Sequence, residues 1–315
     1  MFALLGDTLS VTAPVFSMLL LGILLRRLGA IDAAFINTAS SLVFNATMPT
    51  LLFLGILELD PGEHIQSAPV IYFCLATLLG FWGSWYWATG HCIREDRGVY
   101  TQGAFRGNNA IVGLALANSL YGDYGLALGS VLAGAVILVY NSCSVVVLAV
   151  YSPAARTSGW AIGRSIARNP LIIGVVSALP FVWLEIRLPD WLLTSGHYFA
   201  RMTLPLALIC IGGSLSLAAL QRSSAPALSA SLLKMLWLPM LSTLGAIVVG
   251  FRGAELGILF LYFASPTAAA SFVMAQAVRS NAELAASIIM ITTTVSVLTI
   301  NLGIFLLQFA GLIQE

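Results

Sequence analysis

The sequence predicts an all-α polytopic membrane protein of ten transmembrane helices. Of its 315 residues, 59% are hydrophobic and only 9% are charged, and its mean hydropathy is +0.95. A soluble domain carries about 25% charged residues, so this composition excludes a soluble globular protein. Apolar runs recur from end to end of the chain, and a spanning helix needs about 20 mostly apolar residues.

On that criterion the ten predicted helices occupy residues 8–27, 34–56, 67–90, 100–120, 124–150, 169–186, 191–218, 226–250, 254–278 and 284–310. No basic residue precedes the first run and no clear cleavage site follows it, so we interpret it as a membrane helix rather than a signal peptide. The fourth helix is the least regular because its middle is polar. The sixth is short and contains Pro180.

The basic residues set the predicted orientation, because cytoplasmic connections are enriched in Lys and Arg. With the N-terminus outside, the outer connections hold only Arg187 and Arg252. The inner connections hold Arg26, Arg27, Arg94, Arg97, Arg156, Arg164, Arg168, Arg222, Lys234 and Arg279. An even number of helices returns the chain to the outside. We therefore expect an integral plasma (inner) membrane protein with both termini external.

An internal repeat is predicted from the proline positions. Pro14 and Pro170 are 156 residues apart, and so are Pro49 and Pro205; the same shift carries Pro266 onto the polar middle of the fourth helix. The first five-helix half occupies residues 1–150 and the second occupies residues 169–315. A polar cytoplasmic connection, residues 151–168, separates them. Five is an odd number, so the second half enters the membrane with opposite polarity, as in the inverted repeats of many secondary transporters.

Two of the predicted helices are interrupted at corresponding places. The fourth contains Arg106, Gly107, Asn108 and Asn109, and the ninth contains Ser265-Pro266-Thr267. An ionisable group in hydrocarbon costs at least about 2.5–3.5 kcal/mol, so helix stability does not account for the arginine. Non-helical backbone at membrane depth lines a cavity or lies buried in protein, and half-helix N-termini favour anions. The pattern indicates a polar or charged substrate at these breaks.

Four segments resemble the auxin efflux carrier family, a branch of the bile acid and auxin carriers that includes plant auxin exporters and bacterial malonate or dicarboxylate permeases. They are LVFNATMPTLLF at 42–53, GAFRGN at 103–108, RNPLII at 168–173 and LPLALICIGG at 204–213. The resemblance implies ten helices in two inverted repeats. Helices one, two, six and seven would form a scaffold that mediates a homodimer. Helices three to five and eight to ten would form a transport domain in which four and nine cross.

The sequence departs from the plant pattern at both crossing helices. Plant members place a proline between two asparagines, whereas the first break here has two asparagines without proline. The second break has Pro266 without asparagine. The fold and the transport mode therefore carry over from the resemblance, and auxin as the substrate does not.

The candidate substrate-binding residues are Arg106, Asn108, Asn109, Ser265, Pro266, Thr267 and Asn45. Guanidinium matches a carboxylate bidentately, and amides donate hydrogen bonds to it. Alternative roles stay open: the arginine could extend to the interface, the paired asparagines could cap a half-helix, and Asn45 could hydrogen-bond between helices. Pro266 could be a structural element of the crossing. An interfacial role is expected for His197 and Arg201.

The acidic residues favour an anionic substrate. All thirteen lie in connections or near helix ends, whereas carriers of cations and protons use carboxylates within the membrane. We expect a secondary transporter for a small organic anion, such as a mono- or dicarboxylate, that binds between helices four and nine. A sodium-coupled symporter of the bile-acid type is the alternative, and a channel or an intramembrane enzyme is a remote one. No cofactor, metal or nucleic acid partner is expected.

Overall fold

The structure is a computed structural model that describes residues 2–57, 67–151, 164, 168, 170–184, 186, 188–214 and 225–313. All regular secondary structure in these segments is helical, which confirms the all-α prediction. Most of the predicted cytoplasmic connection 151–168 lies outside the described residues, as do Arg156, Arg187 and Arg222.

The described α-helices are α1 Phe2–Arg27, α2 Ala33–Leu42, α3 Met48–Leu57, α4 Ser67–His91, α5 Arg97–Phe105, α6 Leu114–Tyr151, α7 Pro170–Trp183, α8 Asp190–Arg201, α9 Thr203–Ser214, α10 Ala225–Leu232, α11 Leu238–Val249, α12 Gly253–Ala264, α13 Ala270–Ala277 and α14 Ala282–Phe309. Three π-helical turns join or precede them, at Val43–Thr47, Asn109–Gly113 and Leu233–Trp237. A 3-10 turn at Arg94–Asp96 precedes α5.

Five of the described helical stretches are long and apolar enough to cross a membrane: Ala33–Leu57, Ser67–His91, Asn109–Tyr151, Ala225–Val249 and Ala282–Phe309. Pro170–Trp183 and Gly253–Ala264 are shorter apolar helices. The chain is therefore built as an integral membrane protein. The total of ten crossings and the inverted repeat stay predictions.

Helix interruptions account for most of the difference between the predicted and the observed elements. The long α6 contains Gly122 at φ 54°, a left-handed conformation that glycine adopts without strain. This residue separates the end of the predicted fourth helix from the start of the fifth. The predicted seventh helix is divided into α8 and α9, which flank Met202.

Close backbone contacts join the helices of the predicted scaffold. Helix α1 packs against α9, and α3 packs against α7. A Cβ atom on Gly22 of α1 would collide with the carbonyl of Ile209, and one on Gly212 of α9 would collide with the carbonyl of Leu19. Small residues allow membrane helices to approach closely where the hydrophobic effect does not drive them together.

The remaining helices pack around α5, α12 and α14. Helix α5 contacts α4, α6, α10 and α14, while α12 contacts α6, α11 and α14. Aromatic rings fill the space between α4 and α12, where Phe73 lies 4.7 Å from Phe263 and 5.7 Å from Tyr262 between ring centroids. These contacts hold the ends of α5 and α12 inside the protein.

Candidate functional site

Both predicted breaks are interruptions of a helix. Helix α5 ends at Phe105, and Arg106 is extended at φ −83° and ψ 109°. The chain becomes helical again at the Asn109–Gly113 turn. Helix α12 ends at Ala264 with an extended Ser265, and α13 begins at Ala270. Proline explains the second break because its ring removes an N–H donor and clashes with the preceding turn.

Backbone hydrogen bonds join the two interruptions. The N–H of Asn108 donates to the carbonyl of Pro266 at 2.7 Å, and the N–H of Ala268 donates to the carbonyl of Arg106 at 3.2 Å. The two bonds form a short antiparallel bridge between Gly107 and Thr267. The unwound segments therefore satisfy part of each other's backbone, as buried peptide groups require.

The hydroxyl groups of the second break are bound to carbonyl groups of the protein. Ser265 Oγ donates to the carbonyl of Leu261 at 2.8 Å, and Thr267 Oγ1 donates to the carbonyl of Gly103 at 2.7 Å. The N–H of Thr267 donates to Thr292 Oγ1 at 3.1 Å. In this conformation both hydroxyls stabilise the break itself.

Arg106 lies inside the protein, where its side chain is 8% exposed. Its Nη1 donates to Ser144 Oγ at 3.2 Å and contacts Met274 Sδ at 3.1 Å. Its Nε has no hydrogen-bond partner among the described residues. Both partners are neutral, so the guanidinium charge is not balanced by them. The predicted alternative, in which this arginine extends to the membrane interface, does not fit this geometry.

The two asparagines of the first break are also buried. Asn109 Nδ2 donates to the hydroxyl of Tyr140 at 3.2 Å, while its Oδ1 has no partner among the described residues. Asn108 precedes the π-helical turn, and its carbonyl accepts from the N–H of Val112 at 2.9 Å. Its side chain makes no capping hydrogen bond within this described segment. Neither the Asn108 nor the Asn109 side-chain amide is therefore used as a helix cap.

Lys234 is the functional candidate that the sequence analysis missed. We assigned it to an inner connection, and that assignment is wrong, because the residue lies within the π-helical turn Leu233–Trp237. Its side chain is 2% exposed, and its Nζ donates to the carbonyl of Phe263 at 3.0 Å. It stands nine residues into the helical stretch, about 13 Å along the axis. That depth is the signal that could have identified it.

Gly107 lies where these groups converge. A Cβ atom there would collide with Asn109 Oδ1 and would lie 3.2 Å from Lys234 Nζ. Only a residue without a side chain allows the amide oxygen and the ammonium group to approach the backbone so closely. The first break thus combines buried cations with one amide oxygen, Asn109 Oδ1, that has no partner among the described residues.

A cavity of about 730 Å³ lies beside the helix that follows the first break. Helix α6 contributes Ala115 and Asn118, and apolar walls come from α1, α3 and α9. The polar groups at this cavity include Asp123, His197 and Arg201. We expected an interfacial role for His197 and Arg201, and in the structure both line this cavity.

Asn45 is the predicted site residue that makes its hydrogen bonds elsewhere. Its side chain is exposed, and its Nδ2 donates to the carbonyl and to the Oγ of Ser41, at 2.9 and 3.1 Å. Both acceptors lie one turn back on the same helical stretch. The hydrogen bond between helices that we considered for this residue is therefore not the one it makes here.

Comparison with known proteins places these features in a family. The family model described as "Membrane transport protein" matches residues 9–304. An uncharacterized transporter of Methanocaldococcus jannaschii is 25% identical over 93% of this chain and 97% of its own length. One of Methanothermobacter thermautotrophicus is 23% identical over 94% of this chain and 97% of its own. These matches confirm the resemblance to the auxin efflux carriers, and the chain belongs to the membrane transport protein family.

Proposed function

We propose that the protein is a secondary transporter that carries a small organic anion across the membrane by alternating access. The substrate would be a mono- or dicarboxylate that binds where the two interrupted helices meet. The observation that carries this proposal is the pair of buried cations, Arg106 and Lys234, whose partners among the described residues are all neutral.

The positive charges of Arg106 and Lys234 have no counter-charge among their described partners. Removing an ion from water costs several kcal/mol in a protein interior, and the cost is offset only by a well-placed counter-charge and further hydrogen bonds. Capping of a half-helix by an asparagine contributes only about 1 kcal/mol. That is less than the cost of burying two cations, so capping alone does not explain the site. A carboxylate would supply the missing charge and accept hydrogen bonds from Arg106 and from an asparagine amide.

The route to this site is the second part of the proposal. Asn118 on the cavity wall belongs to α6, whose N-terminal end directly follows the Asn109–Gly113 turn. The opposite wall comes from α1, α3, α8 and α9, the helices of the predicted scaffold. The cavity is therefore a candidate vestibule between the scaffold and the transport domain. A relative movement of these two parts would expose the site to one side of the membrane at a time.

The global arrangement in this proposal follows the resemblance and the sequence pattern. It comprises ten crossings in two inverted repeats, crossing helices at the two breaks, both termini outside the inner membrane, and a homodimer through the scaffold. Close glycine packing of α1 on α9 and of α3 on α7 supports a scaffold of those helices. The distribution of Arg and Lys supports the orientation.

Uptake into proteoliposomes tests the transport function. Purified protein would be supplied with a panel of radiolabelled mono- and dicarboxylates, and saturable, slow uptake of at least one acid is expected. Arg106→Gln should abolish it, while Arg27→Gln, at an exposed arginine near the end of α1, should leave it unchanged. Linear, non-saturating flux would indicate a channel instead, and equal uptake by both variants would remove Arg106 from the site.

A further inference from the structure

Lys234 compensates a backbone group that the second break leaves unsatisfied. In a continuous helix the carbonyl of Phe263 would accept from the N–H of Thr267, four residues on. That N–H donates instead to Thr292 Oγ1 at 3.1 Å, because the chain is extended around Pro266. The ammonium of Lys234 takes the free carbonyl at 3.0 Å.

The position is one that suits a cation. The last carbonyls of a helix have no intrahelical partner and carry a partial negative charge, and Phe263 belongs to the last turn of α12. A second oxygen, Asn109 Oδ1, is buried without a partner among the described residues and lies against Gly107, which Lys234 Nζ also approaches. Transporters with interrupted helices hold their coupling cation at such carbonyls and half-helix C-terminal ends.

The helix that carries Lys234 directs it to this place. The Leu233–Trp237 turn packs against α5, α12 and α14, so it contacts the helices that lead into both breaks. A π-helical turn inserts one residue into a helix and is frequent at functional sites. Lys234 is fully enclosed here, whereas Leu236 of the same turn is 47% exposed.

We propose that the Lys234 ammonium takes the place of a coupling sodium ion, so that the carrier moves its organic anion without sodium. This inference rests on the proposed function, and it names the coupling mode of the same site. The cation is covalently part of the protein and balances the charge of the bound anion in every cycle. The sodium-coupled alternative requires an additional ion at carbonyl groups that the lysine already occupies.

The first test uses the unmodified protein without any substrate. The thermal unfolding midpoint of the purified protein would be measured in sodium chloride and in choline chloride at equal ionic strength. We expect the same midpoint in both salts. A midpoint that rises with sodium chloride and saturates would reveal a vacant sodium site and would overturn the inference.

The second test compares two substitutions in one turn. Lys234→Met keeps the apolar length of the side chain and removes its charge, while Leu236→Met introduces the same residue at an exposed position. We expect Lys234→Met to lower the affinity for a transported acid by about tenfold to a hundredfold, the effect of losing a charged partner. Leu236→Met should match the wild type, and Lys234→Arg should retain part of the affinity. Wild-type affinity in Lys234→Met would contradict the inference.

The two proposals fail in different ways. If no organic acid in the panel binds or is carried, the proposed function fails, while the sodium measurement without substrate still tests the role of Lys234. If an acid is carried only in the presence of sodium, the proposed function stands and the inference is wrong. Equal uptake in sodium and choline buffers supports both.

Discussion

Polar side-chain atoms that are buried without a hydrogen-bond partner mark the proposed site. Arg106 Nε and Asn109 Oδ1 are buried without a partner among the described residues, although Arg106 Nη1 and Asn109 Nδ2 form hydrogen bonds. Unsatisfied buried groups are uncommon in proteins and cost about 1–3 kcal/mol each. Asn109 Oδ1 lies against Gly107, where Lys234 Nζ also approaches, so an unsatisfied acceptor and a buried cation meet at the first break.

The asparagines give the first prediction. Asn109→Ala should remove one hydrogen bond to an ionised substrate, worth about 1.5–3 kcal/mol, so the affinity should fall about tenfold to 150-fold. Asn108→Ala should do the same if its amide also binds the substrate. Equilibrium binding of a labelled acid measures both. Tyr140→Phe separates the two effects, because it removes the hydroxyl that Asn109 contacts in this conformation and leaves both asparagines in place. An unchanged affinity with a lower melting temperature would assign the asparagines a structural role.

Arg106→Lys is the second prediction. Lysine keeps the charge but lacks the planar fork that binds a carboxylate bidentately, so the affinity should fall even though the net charge is unchanged. Binding of the same acid measures the effect. A lysine that binds as tightly as the arginine would show that only the charge is required at this position.

The close packing around Gly107 gives a prediction about stability. Gly107→Ala should lower the free energy of unfolding by about 1–3 kcal/mol, the usual cost of overpacking, because its Cβ would collide with Asn109 Oδ1. Gly83→Ala is a matched control in α4, where no atom lies within 4 Å of the added carbon. That change should stabilise the helix by about 0.5–1 kcal/mol. Thermal or chemical unfolding in detergent compares them, and equal effects would contradict the described contacts.

At the element scale, the helices and their breaks were accessible from the sequence. Long apolar runs identified the helical stretches, and Pro266 with the Arg106–Asn109 cluster identified both interruptions, because proline and buried polar residues are local signals. The π-helical turns were not accessible, since no residue type marks them. Tyr140, Ser144 and Met274, which complete the site, were not predicted because only tertiary packing brings them to the break.

Two residues show where the local signals mislead. Lys234 was attributed to a connection by its charge, although its depth in an apolar run indicated burial. Asn45 was selected for its polarity within a helix, and the structure gives it partners on its own helix. In both cases the residue type indicated that burying the side chain in the membrane is unfavourable. The direction in which the side chain points depends on neighbouring helices.

Helix packing gives a further prediction at this scale. Gly22→Ala should weaken the contact between α1 and α9, because the added methyl group would collide with the Ile209 backbone. We expect a lower melting temperature and, at neighbouring scaffold positions, faster cysteine modification. Gly90→Ala, where the added carbon meets no atom within 4 Å, is the control. Equal melting temperatures for the two variants would contradict this packing.

At the scale of the whole molecule, orientation is the property to test. Without Lys234, nine basic residues remain on the predicted inner side against two outside. Single cysteines at Arg97 and Arg164 should react only from the cytoplasm, and those at Asp60 and Asp190 only from outside. Native Cys92, just beyond the predicted inner end of α4, should react slowly at neutral pH. Burial, followed by the charge of Asp96, raises the pKa of its thiol to about 11, and only the thiolate is nucleophilic.

The Cys92 reaction also has a predicted pH dependence. Because its pKa is raised, the thiolate fraction should grow about tenfold for each pH unit up to about 11. The rate of maleimide modification of a variant that retains only this cysteine measures that dependence. A rate that levels off near pH 8.5 would mean that the thiol is not buried as described. For the orientation test, reaction from outside of single cysteines placed in the 151–168 connection would contradict the predicted orientation of the chain.

We propose that the buried cations Arg106 and Lys234 bind a negative charge on the substrate. The most direct measurement compares the uptake of a transported carboxylic acid with that of its uncharged amide, in proteoliposomes containing the wild type and Arg106→Gln. We expect saturable uptake of the acid by the wild type only, with no uptake of the amide by either protein. Equal transport of the amide, or preference for a cationic analogue, would contradict it.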